Sequence, residues 1–249
     1  MSAVALRAAS VEPYHRLAMC EHFVARAGRP FGIGELWPFT ERLERYGIAG
    51  FGWGAGWIDG GGSIRTYRTT SAFRDDPAGR ASVGVVETVA VLVHLRRPSR
   101  LSWMSDADAQ PFIDPDSRFV FSHNGDLRAW RSFRPSYRAA GRIHGRADTE
   151  VGQRWLEDNW RTGEPAGHLL GALHDAFGGQ ANLAVLAADG TVHHYAGNSD
   201  NPVFSFRLGR LEVASTGIYS VDRSLFRFVA PGAKDRRLVP LRSTVSLAG

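Results

Sequence analysis

The spacing of apolar positions changes several times along the chain, and each change marks an element. Residues 20–27, 88–95 and 118–122 are short, densely apolar runs of the kind that form buried strands. Leu36, Phe39, Leu43 and Tyr46 instead recur at helical spacing, which predicts a helix over residues 35–46 with Gly47 as its stop. Small and aromatic residues then alternate through Gly50-Phe51-Gly52-Trp53-Gly54-Ala55-Gly56-Trp57, a pattern that suits a strand closely approached by another backbone. Gly60-Gly61-Gly62 reads as the turn of a hairpin returning through residues 63–69. Two more helices are predicted over 147–160, with Val151, Trp155, Leu156 and Trp160 among its inner residues, and over 168–177. Strands follow at 181–187, 192–196, 203–208 and 211–215, with Asp189-Gly190 as the hairpin turn between the first two. Residues 1–18 have no clear period and read as an irregular leader. Strands toward both ends with helices between them predict an α+β layered domain.

Composition narrows the function classes. The chain has 249 residues, 43% hydrophobic and 22% charged, ordinary values for a soluble globular protein able to bury a proper core. No apolar run approaches the length needed to cross a bilayer, so no membrane role is expected. The first eighteen residues carry Arg7, Glu12, His15 and Arg16 where a secretory signal has its apolar centre, which points to a cytoplasmic protein. The net charge of +5 could suggest a nucleic-acid partner, but Lys234 is the only lysine and the arginines are scattered among acids. Glu41-Arg42-Leu43-Glu44-Arg45 is typical of them and reads as a solvated helix face, so no nucleic acid is expected.

Cys20 is the single cysteine, which excludes a disulfide framework and a multi-cysteine zinc site. His193-His194 has no acidic or cysteine partner at ligand spacing, so neither a metal nor a cofactor is expected. His94 and His123 read as structural groups. A lone cysteine is more often a buried small hydrophobe than a nucleophile. Its neighbourhood in the sequence changes that reading.

Four motifs recur in order: Met19-Cys20 opening the first strand, His94-Leu95-Arg96-Arg97-Pro98-Ser99 ending a second, Ser122-His123-Asn124-Gly125-Asp126-Leu127 ending a third, and Arg146-Ala147-Asp148-Thr149-Glu150 opening a helix. This order resembles the class II glutamine amidotransferases. Gly52-Trp53-Gly54 resembles the Gly-Trp-Gly strand of their single-domain members, and Ala214-Ser215-Thr216 looks like their Ala-Ser-Glu segment. The resemblance runs from about Cys20 to Ser215. It implies a four-layer αββα sandwich of the N-terminal-nucleophile hydrolases, with residues 20–249 forming a type 2 glutamine amidotransferase domain.

The resemblance also implies roles. Cys20 would attack the side-chain amide of glutamine, with its own α-amine as base, giving a γ-glutamyl thioester, glutamate and ammonia. Asn124 and Gly125 match the oxyanion pair. Arg96 matches the arginine that holds the substrate carboxylate, Asp148 the acid that receives its ammonium, and Ser99 stands where a threonine usually lines the pocket. Arg97, one residue along a strand from Arg96, is expected to point away as a surface charge, and Asp126 to belong to a turn.

An N-terminal nucleophile requires a free amine, so residues 1–19 are expected to be a mis-assigned start, with Met19 as the true initiator, or a propeptide that is removed. The expected partners are glutamine or a γ-glutamyl compound and an ammonia-accepting synthase subunit. A γ-glutamyl amide amidohydrolase of the same fold, or an inert binding module with the leader retained, are the rival readings.

Overall fold

The computed structural model describes residues 20–47, 49–98, 104–161, 163–218 and 223–247; Ser99 and the leader lie outside them. In chain order the elements are β1 (Glu21–Gly32), α1 (Trp37–Gly47), β2 (Trp53–Ile58), β3 (Ile64–Thr69), α2 (Pro77–Gly84) and β4 (Glu87–Leu95). There follow β5 (Phe112–Ile113), β6 (Phe119–Leu127), α3 (Trp130–Ala139), α4 (Asp148–Asn159), α5 (Ala166–Phe177), β7 (Gly179–Ala187) and β8 (Val192–Ala196). The chain closes with β9 (Val203–Leu208), β10 (Leu211–Thr216), the single turn α6 (Phe226–Val229), β11 (Lys234–Leu238) and β12 (Ser243–Leu247).

The strands form two sheets, a seven-stranded one ordered β11-β9-β10-β1-β4-β2-β3 and a five-stranded one ordered β12-β8-β7-β6-β5. Each pairing is antiparallel. Side-chain alternation divides the interior into layers. Phe23 and Ala25 of β1 and Val91, Val93 and Leu95 of β4 face outward, onto Phe39 and Leu43 of α1 and Phe226 of α6. Their alternates Val24, Ala90 and Leu92 face inward and meet Val120, Ala184, Leu186 and Val192 of the second sheet. Phe119, Phe121, Leu183 and Val185 cover the far side of that sheet and pack under Val151 and Leu156 of α4 and Leu169, Leu170, Leu173 and Phe177 of α5. Helix, sheet, sheet and helix make the four layers. The central strands are buried on both faces, which is why 88–95 and 118–122 read as continuous apolar runs rather than alternating ones.

Close approach explains the glycine-rich strand β2. A Cβ on Gly54 would stand 2.3 Å from the Gln110 carbonyl oxygen, and one on Gly56 would stand 2.8 Å from Val120. The hairpin from β2 to β3 turns through Asp59–Ser63, with Ile58 opposite Ile64. Two expectations are corrected. The strand expected over 118–122 continues to Leu127, so Asn124, Gly125 and Asp126 lie within β6, opposite Asn182, Ala181 and Gln180 of β7. Asp126 is therefore a ladder residue and not part of a turn: β7 supplies the partners that keep the strand going.

The inner layer becomes polar toward one end. His22 and His94, opposite one another in β1 and β4, both point their Nδ1 at the Ser122 hydroxyl, at 2.9 and 2.8 Å, and His194 packs edge-on to His22 with ring centres 4.6 Å apart. All three rings are buried. Burial, the largest effect, holds His22 and His94 well below the ordinary histidine value, with neighbouring charges reinforcing it, and holds His194 at about 4. An unfolded chain takes up protons on these rings from about pH 6.5 downward, whereas the folded chain does not. Their stability contribution is complete above that pH and is lost as pH falls toward their folded values, at up to ~1.4 kcal/mol per pH unit for each ring. The midpoint of thermal unfolding is accordingly expected to fall steeply between pH 7 and pH 5; a flat profile in that window contradicts the neutral, buried assignment.

Candidate active site

Cys20 stands immediately before β1, one rung beyond the Glu21–Leu95 pair and hence beside Arg96. Its Sγ accepts a hydrogen bond from the Arg97 backbone N–H at 3.3 Å and lies 3.6 Å from the Arg97 carbonyl oxygen. Burial pushes the thiol up to about 11, against the lowering effects of the Arg97 backbone contact and the Arg96 charge. At neutral pH only about one thiol in 10⁴ would be ionised at that value. The group needs a base before it can act as a nucleophile.

The strand behind it is held by polar contacts. The buried Glu21 carboxylate accepts from Asn201 Nδ2 at 3.2 Å on each oxygen and from the Thr216 hydroxyl, and Thr216 Oγ1 in turn accepts the His22 backbone N–H at 3.1 Å. The Ala214-Ser215-Thr216 segment thereby fastens the start of β1 to β10.

A cleft of about 80 Å³ opens at Cys20 and is lined also by Arg96, Gly125 and Asp148. Arg96 is fixed through its backbone, donating to the Gly52 carbonyl at 2.8 Å and accepting from the N–H groups of Gly50 and Phe51 at 3.2 Å. Its Nη1 donates to the Ser105 carbonyl at 3.3 Å. Arg97, expected at the surface, is half-buried and lines the same cleft. β4 ends at Leu95, so strand alternation does not extend to it.

Asp148 is the first residue of α4. Its carboxylate accepts from the Leu127 N–H at 3.0 Å and the Thr149 N–H at 2.9 Å, joining the end of β6 to the start of the helix. A carboxylate has about four acceptor sites, so these bonds leave capacity for a cation in the cleft. His123 bridges to Thr149 Oγ1 at 3.1 Å and Gln110 ties both, its Oε1 accepting the His123 N–H at 2.8 Å and its Nε2 donating to Thr149 Oγ1 at 3.1 Å. Thr149, part of the motif that opens α4, lines the cleft together with Gln110 and Asp108, which no sequence motif marks. They lie in, or bond to, a stretch between β4 and β6 that carries no periodic signal.

Asn124 directly precedes Gly125 in β6. Along β6, Val120 meets Gly56 and Ser122 meets His22 and His94, so the next inward residue, Asn124, steps toward the end where Cys20 and Arg96 sit. It is fully buried, and neither its Oδ1 nor its Nδ2 has a hydrogen-bond partner among the described residues. An orphaned buried amide costs about 1–3 kcal/mol per group, so its retention calls for an explanation. Gly125 follows at φ 121°, where a Cβ would stand 1.9 Å from the Gln180 carbonyl oxygen; both the angle and the space demand glycine. Among the described residues no group of three histidine, cysteine or acidic side chains is placed to hold a metal ion, and no helix is long and apolar enough to cross a membrane.

No protein-family model and no curated protein matches the chain. Solved structures do. Glutamine phosphoribosylpyrophosphate amidotransferase from B. subtilis, with ADP and GMP, superposes with a TM-score of 0.68 at 14% identity over 92% of this chain. A structure described as the allosteric regulatory enzyme of purine biosynthesis gives 0.68 at 15% identity over the same share. This chain spans about half the length of each, 49% and 48%. A glutamine aminotransferase class-II domain protein from Silicibacter pomeroyi aligns with a TM-score of 0.56 at 18% identity, over 92% of this chain and 95% of its own. At these identities the likeness is one of architecture: the chain has a four-layer αββα fold that it shares with these structures.

Proposed function

We propose that the chain hydrolyses the side-chain amide of glutamine, with Cys20 as an N-terminal nucleophile, and hands the ammonia to a separate synthase. The reading rests on one observation above all. Cys20, Arg96, Gly125 and Asp148, drawn from four separate segments, line a single cleft, and Asn124, whose buried amide has no partner among the described residues, directly precedes Gly125.

In the proposed sequence the substrate carboxylate pairs with Arg96 and its ammonium with Asp148. The free α-amine of Cys20, with a reference value of about 7.7–8.0, takes the thiol proton. The thiolate attacks the side-chain carbonyl carbon, and the oxyanion that forms is met by the Asn124 side-chain N–H and the Gly125 backbone N–H. The amide nitrogen leaves as ammonia, taking the proton back from the ammonium of Cys20. Water then attacks the γ-glutamyl thioester, its proton going to the same amine, and glutamate departs with the thiol restored.

A thiol held near 11 does little without that amine. In the chain as written the Cys20 nitrogen is an amide bonded to Met19. Two purified chains, one beginning at Met1 and one at Cys20, are therefore expected to differ by about 10³-fold or more in glutamate release, with turnover confined to the second. Equal turnover by the longer chain, or no glutamine hydrolysis by the shorter one, overturns the proposal; the latter leaves the inert binding module standing.

A further inference from the structure

Asp108 is buried at the wall of the cleft and bonds in two directions. Its Oδ1 accepts the backbone N–H groups of Arg146 and Ala147, at 2.5 and 2.8 Å, immediately before Asp148. Its Oδ2 accepts the Ser105 hydroxyl at 2.9 Å, and the Ser105 carbonyl is the group to which Arg96 Nη1 donates. One carboxylate thus spans the segment that touches the Arg96 guanidinium and the segment that delivers Asp148.

The loop is shaped for this contact. A Cβ on Gly145 would stand 2.2 Å from Asp108 Oδ1, so only glycine lets the loop come so near. On its other side the buried Glu150 accepts the N–H groups of His144 and Gly145 at 2.7 and 2.8 Å. Four successive N–H groups therefore point at two buried carboxylates. Glu150 belongs to α4 itself and steadies only its own loop. Asp108 is the carboxylate that joins this loop to the Arg96 side of the cleft. Hydrogen bonds to a charged acceptor are short and about twice as strong as neutral ones, which suits a strut.

We infer that Asp108 is a positioning residue that sets the separation between Arg96 and Asp148, and so governs recognition of the amino-acid head of the substrate. This rests on the proposed roles of Arg96 and Asp148. Asp108 acts on the head and not on the reacting carbonyl, so its loss registers in binding and in discrimination more than in the chemical step.

The test uses the chain beginning at Cys20, with L-glutamine and its analogue lacking the α-amino group. In Asp108→Asn one oxygen remains to accept the two N–H groups but the charge is gone. KM for glutamine is expected to rise about tenfold with kcat within about twofold, and the preference for glutamine over the amine-free analogue to fall by a similar factor. Alkylation of Cys20 by iodoacetamide, which has no amino-acid head, is expected to keep its rate. Ser105→Ala, which removes only the hydroxyl link, is expected to shift KM in the same direction by less, and it carries the test if Asp108→Asn does not fold. Unchanged KM and preference in the folded variants overturn the inference alone, as does a fall in kcat and alkylation rate at constant KM. Absence of glutamine hydrolysis by the unsubstituted chain overturns the proposed function, and this inference with it.

Discussion

Alanine in place of Cys20 is expected to remove glutamine turnover, by about 10⁵-fold or more, while the protein keeps its fold. The size of the effect follows from the chemistry proposed for the cleft. Among the described residues the cleft offers no second thiol, and the covalent route has no substitute for this one. The fold is expected to survive because Cys20 stands at the end of a central strand, outside its ladder, and its thiol makes only weak contacts, to the Arg97 backbone. Loss of those contacts is expected to cost no more than about 1 kcal/mol. Assays of glutamate release together with thermal unfolding check both halves. Retained turnover, or a collapse in stability that accounts for the lost turnover, contradicts the expectation.

The second large effect has an opposite sign in its two readouts. Neither polar atom of the buried Asn124 has a hydrogen-bond partner among the described residues, which leaves its amide available to a developing oxyanion. Asn124→Leu keeps the branched outline and the number of heavy atoms of the side chain and removes the unpaired groups. It is expected to lower kcat by about 10²–10³-fold and to raise stability by about 1–3 kcal/mol. A structural asparagine predicts the reverse, a less stable protein with activity reduced only in proportion to its folded fraction. Kinetics and denaturant unfolding on the same preparation separate the two.

These effects rest on residues whose legibility in the sequence was uneven. The elements with strong periodicity were plain: residues 192–196 and 203–208 form β8 and β9 with those bounds, and the helices around Val151 and Leu170 lie within a few residues of their expected limits. Other elements were not. α3 packs Trp130, Phe133 and Tyr137 against the core but buries no residue fully and carries Pro135 in its interior, β11 is exposed along its whole length, and α2 is a short run of small residues started by the Asp76 cap. The Asn-Gly pair of β6 shows the limit most clearly. That dipeptide usually marks a turn, and only the partner strand β7, about sixty residues away in sequence, makes it part of a ladder.

The site was legible as far as chemistry-bearing residues sit in short motifs. Cys20, Arg96, Gly125 and Asp148 are named by their motifs, and the fold brings them together. Asp108 and Gln110 are not, because their importance lies in which backbone groups they reach across the cleft. The unpaired state of Asn124 is likewise a property of packing, since nothing in the residues beside it says that its amide has no partner.

The most direct test is the mass of the protein caught during turnover. The chain beginning at Cys20 would be mixed with excess glutamine, quenched in acid within the first turnovers and weighed intact, with the attachment point located by digestion. The account predicts a species heavier by one glutamyl group, attached at Cys20, released by neutral hydroxylamine and absent from Cys20→Ala. Brisk glutamate release with no such species at any quench time, or a glutamyl group carried elsewhere, would contradict it.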